Sequence, residues 1–350
     1  MTDNLQITEL VRPDRCFIIA EIGVNHNGSM DLAKEMIDAA HGCGVDAVKF
    51  QLYRTDELVT KGAEKANYQK ETTGSEQSDQ RSMLKALELN ESQHAELFEY
   101  CTSRGITYMC TPYDIESAKF LVGLGVAAIK VASSDTTNLP FLRQLDALGT
   151  GVILSTGMCT MDEVRQAVEQ FPNTRANNAL YVLQCTSQYP APEELANLRV
   201  MDTFRNAFDL LVGYSDHTVS NDTSVWAVAR GASIIEKHFT TDRNLPGPDH
   251  RASADTAQFE DLVRQVRAVE TALGSPEKTI NEAEAQNKQA MQKSLYFRGA
   301  MQAGDVVSEE HVVAKRPAAG MAPAQIDEIV GRKLSQATEA DEPVSADLFE

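Results

Sequence analysis

The feature that most constrains the fold of this chain is a series of short apolar runs, rich in β-branched residues, between residues 16 and 240. Most of these runs are continuous rather than alternating, which is typical of parallel strands buried on both faces. The sequence therefore predicts eight strands, one for each run. They are "CFIIAEIGV" (16–24), "DAVKFQLY" (46–53), "TYMCTPY" (107–113), "AAIKVASS" (127–134), "GVILSTGM" (151–158), "LYVLQCTS" (180–187), "LLVGYSD" (210–216) and "SIIEKHFT" (233–240).

Helical segments with recognisable caps separate the predicted strands. Ser29 and Asn90 are candidate N-caps, and Thr160 and Glu163 have the spacing of a capping box. Eight strands that alternate with helices over about 275 residues predict a (β/α)8 TIM barrel. The structural alternative is an open, doubly wound sheet, which more often has a Gly-x-Gly-x-x-Gly turn after its first strand. Here that turn reads "GVNHNGS".

The chain is predicted to divide into a barrel over residues 1–275, a linker over 276–292 and a small domain over 293–350. The last segment has short strand-like pieces between Gly, Pro and acidic turns, so we expect a mainly β unit. So small a unit has a thin core and usually depends on other structure for support. The long polar connection over 54–90 is interpreted as a lid or rim insertion. A flexible excursion fits its composition equally well.

Charge and composition exclude several classes of protein. The formal net charge of −19 disfavours nucleic acid as a partner, because an acidic chain repels phosphate backbones. No apolar run reaches about 18 residues, so we expect no membrane span. The six cysteines form no Cys-x-x-Cys pair, and the polar N-terminus is unlike a signal peptide. Together these features predict reduced thiols and a cytoplasmic protein.

Polar side chains at the ends of the predicted strands indicate an anion site. In TIM barrels the active site lies at the carboxyl ends of the strands, and polar residues within buried runs are costly unless they are used or paired. Lysines supply charge and hydroxyl groups supply oriented donors, which suits a phosphate or a carboxylate. The alternative is that each lysine pairs with a neighbouring acid to fill the barrel. The residues are Lys49, Thr111, Lys130, Ser133, Ser155 and Ser215.

Two histidines follow the last two predicted strands, His217 after the seventh and His238 on the eighth. Imidazoles from adjacent strand ends can share a divalent metal, with water and substrate completing its coordination, and Asp249 is a candidate further ligand. Glu236 shares the barrel-facing side of its strand with His238, because side chains two residues apart point the same way. Lys237 should face the helices instead.

Other residues are weaker candidates. His250 is interpreted as a rim residue, while His41, His94 and His311 are expected to be surface histidines and His26 is ambiguous. A metal-dependent barrel hydrolase usually needs His-x-His after the first strand, where this chain has one histidine. A nucleophilic cysteine is possible, but no partner histidine is evident in the sequence, so buried small side chains are the better interpretation. The candidates are Cys110, Cys159 and Cys185.

An ordered set of motifs gives the chain a resemblance to a known family. It is similar over essentially its whole length to the N-acetylneuraminate (sialic acid) synthases of bacterial type, whose small C-terminal unit is an antifreeze-like (SAF, β-clip) domain. Each motif alone is weak, but the ordered set is specific. The motifs are "FIIAEIGVNHNG", "DAVKFQ", "ILSTGM", "GYSDHT", "EKHFTTDRNLPGPDH" and "KRPAAGM".

The resemblance implies a transferase that condenses phosphoenolpyruvate with an N-acylated mannosamine-type sugar, giving a nine-carbon 2-keto acid and phosphate. It implies Mn²⁺ or Mg²⁺ held by His217 and His238, with Glu236 close to the metal and to phosphoenolpyruvate. Glu21 is the implied acid/base or water-orienting carboxylate. The implied phosphoenolpyruvate ligands are Lys49, Thr111, Lys130, Ser133, Ser155 and Ser215, the cluster already identified as an anion site.

The resemblance also implies a sugar site shared between two subunits. Arg316 matches an arginine that reaches from the small domain into the partner's barrel, which implies a domain-swapped homodimer. The chain departs from the family where sugars are distinguished: residues 132–135 read Ala-Ser-Ser-Asp rather than Gly-Ser-Gly-Glu, and 317–319 read Pro-Ala-Ala. A legionaminic acid synthase, acting on 2,4-diacetamido-2,4,6-trideoxymannose, is therefore the alternative. The remaining implied sugar ligands are Gln51, Asp135, Tyr189 and Asp249.

Overall fold

The computed structural model describes residues 6–73 and 79–350. The chain forms two compact units, Met1–Gly274 and Ser275–Glu350.

The first unit is built around eight parallel strands that close into a barrel in sequence order. This arrangement confirms the predicted TIM barrel and excludes the open sheet. The strands are β1 Phe17–Gly23, β2 Ala47–Leu52, β3 Thr107–Pro112, β4 Ala128–Val131, β5 Gly151–Ser155, β6 Leu180–Cys185, β7 Val212–Asp216 and β8 Ile234–His238.

Helices follow the strands and cover the outside of the barrel. The predicted caps are confirmed: the side chain of Ser29 accepts from Leu32 N, and Asn90 and Thr160 each form a capping box. In the described part of the chain the α-helices of this unit are α1 Ile7–Leu10, α2 Met30–Gly42, α3 Thr55–Leu58, α4 Asn67–Thr73, α5 Gln80–Leu87, α6 Glu91–Arg104, α7 Ile115–Leu124, α8 Leu139–Asp146, α9 Met161–Val168, α10 Pro172–Ala176, α11 Val200–Phe208, α12 Asp222–Ala229 and α13 Thr256–Leu273. Shorter 3-10 turns span Ser133–Asp135, Glu193–Leu195 and His250–Ala252.

Side chains alternate between two apolar cores along most of the strands. Outward residues such as Val48 and Val152 pack against the helices, and inward residues such as Ile19 and Met109 fill the barrel. The short helix α1 packs into this inner core, where a Cβ added to Gly151 would collide with Ile7. Apolar side chains therefore fill the end of the barrel at which the strands begin, and polar chemistry is left to the other end.

The insertion after β2 is a rim element in its described part. Met83 and Leu87 of α5 pack against Val24 and Tyr53, which follow β1 and β2. The hydroxyl of Thr72, at the end of α4, donates to Pro248 O at 3.1 Å. The insertion therefore contacts both the β1 side and the β8 side of the barrel mouth. Residues 74–78 of this predicted insertion lie outside the described residues.

The second unit contains two antiparallel strands, β9 Ser294–Phe297 and β10 Val312–Lys315, beside 3-10 turns at Glu309–His311, Pro323–Glu328 and Ala346–Leu348. Its small apolar core includes Phe297 and Leu334. The segment predicted as a linker contains helix α14, Glu282–Met291, which has no buried side chain. Across residues 6–73 and 79–350, no helix is both long and apolar enough to cross a membrane.

Candidate active site at the carboxyl ends of the barrel strands

The side chains that point into the barrel are polar near the carboxyl ends of the strands. Strand register brings them together: Glu21 on β1 lies beside Lys49 on β2 and His238 on β8, and Ser215 on β7 lies beside Glu236. Such residues share one layer because side chains two residues apart point to the same face of a strand. Most of this layer is buried. The buried members are Glu21, Lys49, Thr111, Lys130, Ser155, Ser215, His217 and Glu236.

Lys49 lies among two carboxylates and a hydroxyl group. Its Nζ is 2.7 Å from Glu21 Oε2 and 3.6 Å from Glu236 Oε2, and it donates to Thr111 Oγ1 at 3.1 Å. Gln51 donates to the other oxygen of Glu21 at 2.9 Å. The side chains predicted to bind an anion and a sugar therefore converge on one carboxylate.

Lys130 approaches Glu236 from the other side. Its Nζ donates to Ser155 Oγ at 2.6 Å and lies 3.7 Å from Glu236 Oε1. Ser215 donates to that same oxygen at 3.0 Å. The two lysines are thus paired with acids, as the alternative interpretation of the sequence required, but around one shared carboxylate. Two cations and several hydroxyl donors that face one point also suit a phosphate, which accepts more hydrogen bonds than a carboxylate.

The two buried carboxylates differ in their protonation. Burial alone would raise the pKa of Glu236, but Lys130 and Lys49 outweigh it and hold that pKa well below its usual range. The pKa of Glu21 is raised, since its burial and the charge of Glu236 outweigh the attraction of Lys49. One carboxylate therefore stays ionised beside the lysines, while the other is suited to exchange a proton.

Ser133 lies just beyond β4, in the 3-10 turn, and not on the strand. Its Oγ accepts from Gly157 N at 2.9 Å and donates to Cys185 Sγ at 3.6 Å. A Cβ at Gly157 would lie 2.9 Å from Ser133 Oγ and would collide with Ser187. Gly157 is therefore required at this site by close approach. Sequence reasoning missed this role, although the glycine stands within the "ILSTGM" motif.

The two histidines at the ends of β7 and β8 face each other. Their ring centroids are 5.5 Å apart, and the ring of Tyr189 lies 4.2 Å from His217 and 5.7 Å from His238. His217 Nδ1 lies 2.8 Å from the carbonyl oxygen of Thr186, so Nδ1 carries a proton, and in the neutral imidazole Nε2 keeps its lone pair. This is the tautomer that metal-binding histidines adopt.

His238 also fits a ligand role. Its pKa is lowered well below the usual value by burial, with His217 adding to the shift, so its imidazole is neutral. Its buried Nδ1 has no hydrogen-bond partner among the residues that the structure describes. Within those residues, no cluster of three or more His, Cys, Asp or Glu side chains is arranged to hold a metal. A cation here would therefore take two protein ligands and complete its shell with water or substrate.

Cys185 overturns one expectation from the sequence. Its Sγ lies 3.9 Å from His217 Nδ1, so a histidine does lie beside one of the candidate cysteines. The thiol is buried at the end of β6, one strand away from His217. The sequence could not show this pairing because the two residues are 32 positions apart and meet only when β6 and β7 align.

Asp249 and His250 follow the proline-rich loop after β8, and both are buried. Burial, with the charge of Glu21, raises the pKa of Asp249 to about 7. His250 was expected at the rim, which is wrong: its Nδ1 lies 2.8 Å from Thr240 Oγ1 and its Nε2 lies 3.2 Å from Asn27 Nδ2. These contacts tie the loop to the one after β1, so His250 is structural.

Of the three histidines predicted at the surface, one is buried and two are exposed. His94 is buried, and its Nδ1 lies 2.7 Å from the hydroxyl of Tyr108, so the surface prediction is wrong for this residue. His311, in the second unit, is exposed as expected, and so is His41. Leu97 is buried as well, because a residue three positions after His94 lies on the same face of helix α6.

Two predicted sugar ligands are not on the barrel strands. Asp135 closes the 3-10 turn after β4, where it accepts from Asn138 Nδ2 at 3.3 Å and where burial raises its pKa. Arg316 is an exposed residue of the second unit, directly after β10. Its role in a partner subunit's site stays a prediction.

Comparison with known proteins places this site in context. Residues 36–278 match the NeuB family, and residues 292–350 match the SAF domain. A protein of Legionella pneumophila named N,N'-diacetyllegionaminic acid synthase is 45% identical over 91% of this chain and 90% of its own length. A protein of the same name from Campylobacter jejuni is 38% identical over 94% of this chain and 98% of its own length. The crystal structure of an N-acetylneuraminic acid synthetase from Leptospira borgpetersenii, in complex with citrate, is 32% identical and covers 79% of this chain and 90% of its own, with a TM-score of 0.71.

Proposed function

Because the chain belongs to the NeuB family, we propose that it condenses phosphoenolpyruvate with an N-acylated amino sugar to give a nine-carbon 2-keto acid and phosphate. The resemblance read from the motifs is confirmed at the level of the family, and the small unit is an SAF domain. The observation that carries the proposal is the buried polar layer in which Lys49 and Lys130 flank Glu236.

Phosphoenolpyruvate would bind in this layer, among the lysines and the hydroxyl groups. Its negative charge would take over part of the pairing that Glu236 gives Lys130 and Lys49. Ser155 and Thr111 already touch the two ammonium groups, so they are placed to donate to an oxygen that enters between them. Ser133 and Ser215 complete the set of proposed ligands.

Glu21 would move a proton or orient the attacking water. It would lie beside both substrates, since one of its oxygens contacts Lys49, a proposed phosphoenolpyruvate ligand, and the other accepts from Gln51, a proposed sugar ligand. A raised pKa suits it to this task. His217 and His238 would hold Mn²⁺ or Mg²⁺, which when bound would polarise the sugar aldehyde as a Lewis acid.

The proposed sugar is the 2,4-diacetamido-2,4,6-trideoxymannose class, leading to a legionaminic acid. Two relatives that match more than nine-tenths of this chain carry that activity in their names. The departure at residues 132–135 supports the same choice, because Asp135 reaches less far than a glutamate would. N-acetylmannosamine, leading to N-acetylneuraminate, is the second candidate.

A substrate panel tests this proposal directly. The protein, phosphoenolpyruvate and Mn²⁺ are incubated with the diacetamido sugar or with N-acetylmannosamine, and phosphate release is followed. We expect kcat/KM to be at least about tenfold higher for the diacetamido sugar, a preference worth about 1.4 kcal/mol of transition-state binding. A preference for N-acetylmannosamine would reverse the assignment of the sugar. Folded protein that releases no phosphate with either sugar would refute the reaction itself.

We propose a domain-swapped homodimer in which Arg316 enters the partner's barrel, and a cytoplasmic location. All six cysteines are unpaired thiols, which supports a reducing compartment. An exposed arginine with a mobile stem suits a role in recognising an N-acyl oxygen across an interface.

Subunit complementation gives the swap a sharp readout. Arg316→Ala and His238→Ala are each expected to be nearly inactive as pure proteins. When the two are co-expressed, a swapped heterodimer contains one site with both natural residues, so about a quarter of the parental activity should return. Without the swap, each barrel carries one defect and no activity returns. Mixed dimers isolated with two affinity tags provide the control for assembly.

A further inference from the structure

The outer faces of β7 and β8 carry a buried ion pair directly behind the two histidines. Asp216 and Lys237 lie opposite each other in the strand register, and Lys237 Nζ is 2.8 Å from Asp216 Oδ2. Both side chains are at most 2% exposed. Each residue immediately precedes one of the histidines, His217 or His238. The pair is on the face opposite to the proposed substrates, so it belongs to neither the anion site nor the sugar site.

All three donors of the Lys237 ammonium group are used. Besides Asp216, they reach the carbonyl oxygens of Thr218 at 2.7 Å and Ser220 at 3.0 Å. Asp216 accepts in turn from Thr218 N at 2.8 Å and from Ser224 Oγ at 2.6 Å. A side chain of β8 therefore holds the loop that follows β7 at two successive points.

This arrangement matters because His217 lies outside the strand ladder. β7 ends at Asp216, so regular pairing with β8 does not fix the backbone of the next residue. Its carbonyl oxygen accepts from Ala191 N at 2.8 Å, and the contacts of Lys237 and Asp216 hold the loop on its C-terminal side. The segment that carries His217 is thus held in part by a lysine of the neighbouring strand, and the ring centroids of the two histidines are 5.5 Å apart.

We propose that Lys237, acting with Asp216, is a positioning residue that sets the distance between His217 and His238. Stability alone does not account for the pair, because a buried ion pair often contributes no more to folding than an apolar pair of the same size. Groups behind a ligand commonly change metal affinity tenfold to a hundredfold when they are removed. The inference rests on the proposed role of these histidines as metal ligands.

The test measures metal binding separately from catalysis. The variants are Lys237→Met and the double variant Asp216→Asn/Lys237→Met, in which no buried charge is left unpaired. Arg267→Met is the control, because it removes ion pairs elsewhere in the barrel, with Asp46 at 2.8 Å, just before β2, and with Glu270 at 2.7 Å. Mn²⁺ affinity is measured by electron paramagnetic resonance, coordination geometry by the visible spectrum of bound Co²⁺, and stability by urea unfolding.

We expect both Lys237 variants to bind Mn²⁺ at least about tenfold more weakly, with an altered Co²⁺ spectrum. The double variant should recover stability without recovering affinity, while Arg267→Met should lose stability and keep its affinity. Parental affinity and spectrum in folded Lys237→Met, or in the double variant if the single variant does not fold, would overturn the inference. Parental protein that binds no Mn²⁺ would instead refute the metal site, so the two failures can be told apart.

Discussion

His238→Ala is expected to bind Mn²⁺ at least about a hundredfold more weakly than the parental protein and to lose metal-dependent phosphate release. The proposed site has two protein ligands, so the variant keeps only one imidazole. A single imidazole does not retain a divalent cation that is present at micromolar concentration. The same result is expected for His217→Ala, whose Nε2 is left free by the bond between Nδ1 and Thr186 O. Titration with Mn²⁺ checks both variants before activity is assayed.

His250→Ala is the control for the choice of histidines. It stands twelve positions after His238 in the sequence and beside an acid, so it is the obvious local partner. In the structure it is fully buried, and its two ring nitrogens contact Thr240 and Asn27. Its loss should cost about 1–3 kcal/mol of stability, through unsatisfied partners, and leave Mn²⁺ affinity unchanged. If His250→Ala abolished metal binding while His217→Ala did not, the assignment would be wrong.

The fold was predictable because parallel strands buried on both faces leave a continuous apolar signature. Each of the eight runs contains its strand, and the errors lie at the ends. The run that ends at residue 134 becomes a strand ending at Val131, because Ser133 begins a 3-10 turn. A run of small and apolar residues does not show at which residue the backbone stops pairing with the neighbouring strands.

The candidate site was predictable only in part, for a physical reason. Polar residues at the ends of buried runs stand out, so Lys49 and Lys130 could be grouped from the sequence, and Glu236 could be assigned to the barrel-facing side of its strand. Their pairing could not be predicted, because it depends on register between strands that are distant in sequence. The same holds for Cys185 beside His217. Gly157 was missed because it is needed for its lack of a side chain. Only the structure shows that Ser187 and Ser133 leave no room for a Cβ at this position.

Lys130→Met should reduce kcat/KM for phosphoenolpyruvate by a hundredfold to a thousandfold. The variant keeps the length of the side chain but removes the charge and the bond to Ser155. Removing one preorganised donor to a developing or bound anion typically costs that much. The KM for the sugar should change far less, because Gln51 and Glu21 lie on the side of Lys49. Steady-state kinetics with each substrate varied in turn separates the two effects.

The same substitution has a cost that is visible without any substrate. Glu236 would keep Lys49 at 3.6 Å as its nearest remaining cation, so the variant should lose about 3 kcal/mol of stability. Lys119→Met is the matched control, since this exposed lysine of α7 pairs with Glu116 on the surface of its own helix, and it should change neither stability nor kinetics. Direct binding of phosphoenolpyruvate, measured by calorimetry on folded Lys130→Met, decides the assignment. Affinity equal to that of Lys119→Met would mean that Lys130 only balances the charge of Glu236, and the anion site would then have to be sought elsewhere in the barrel mouth.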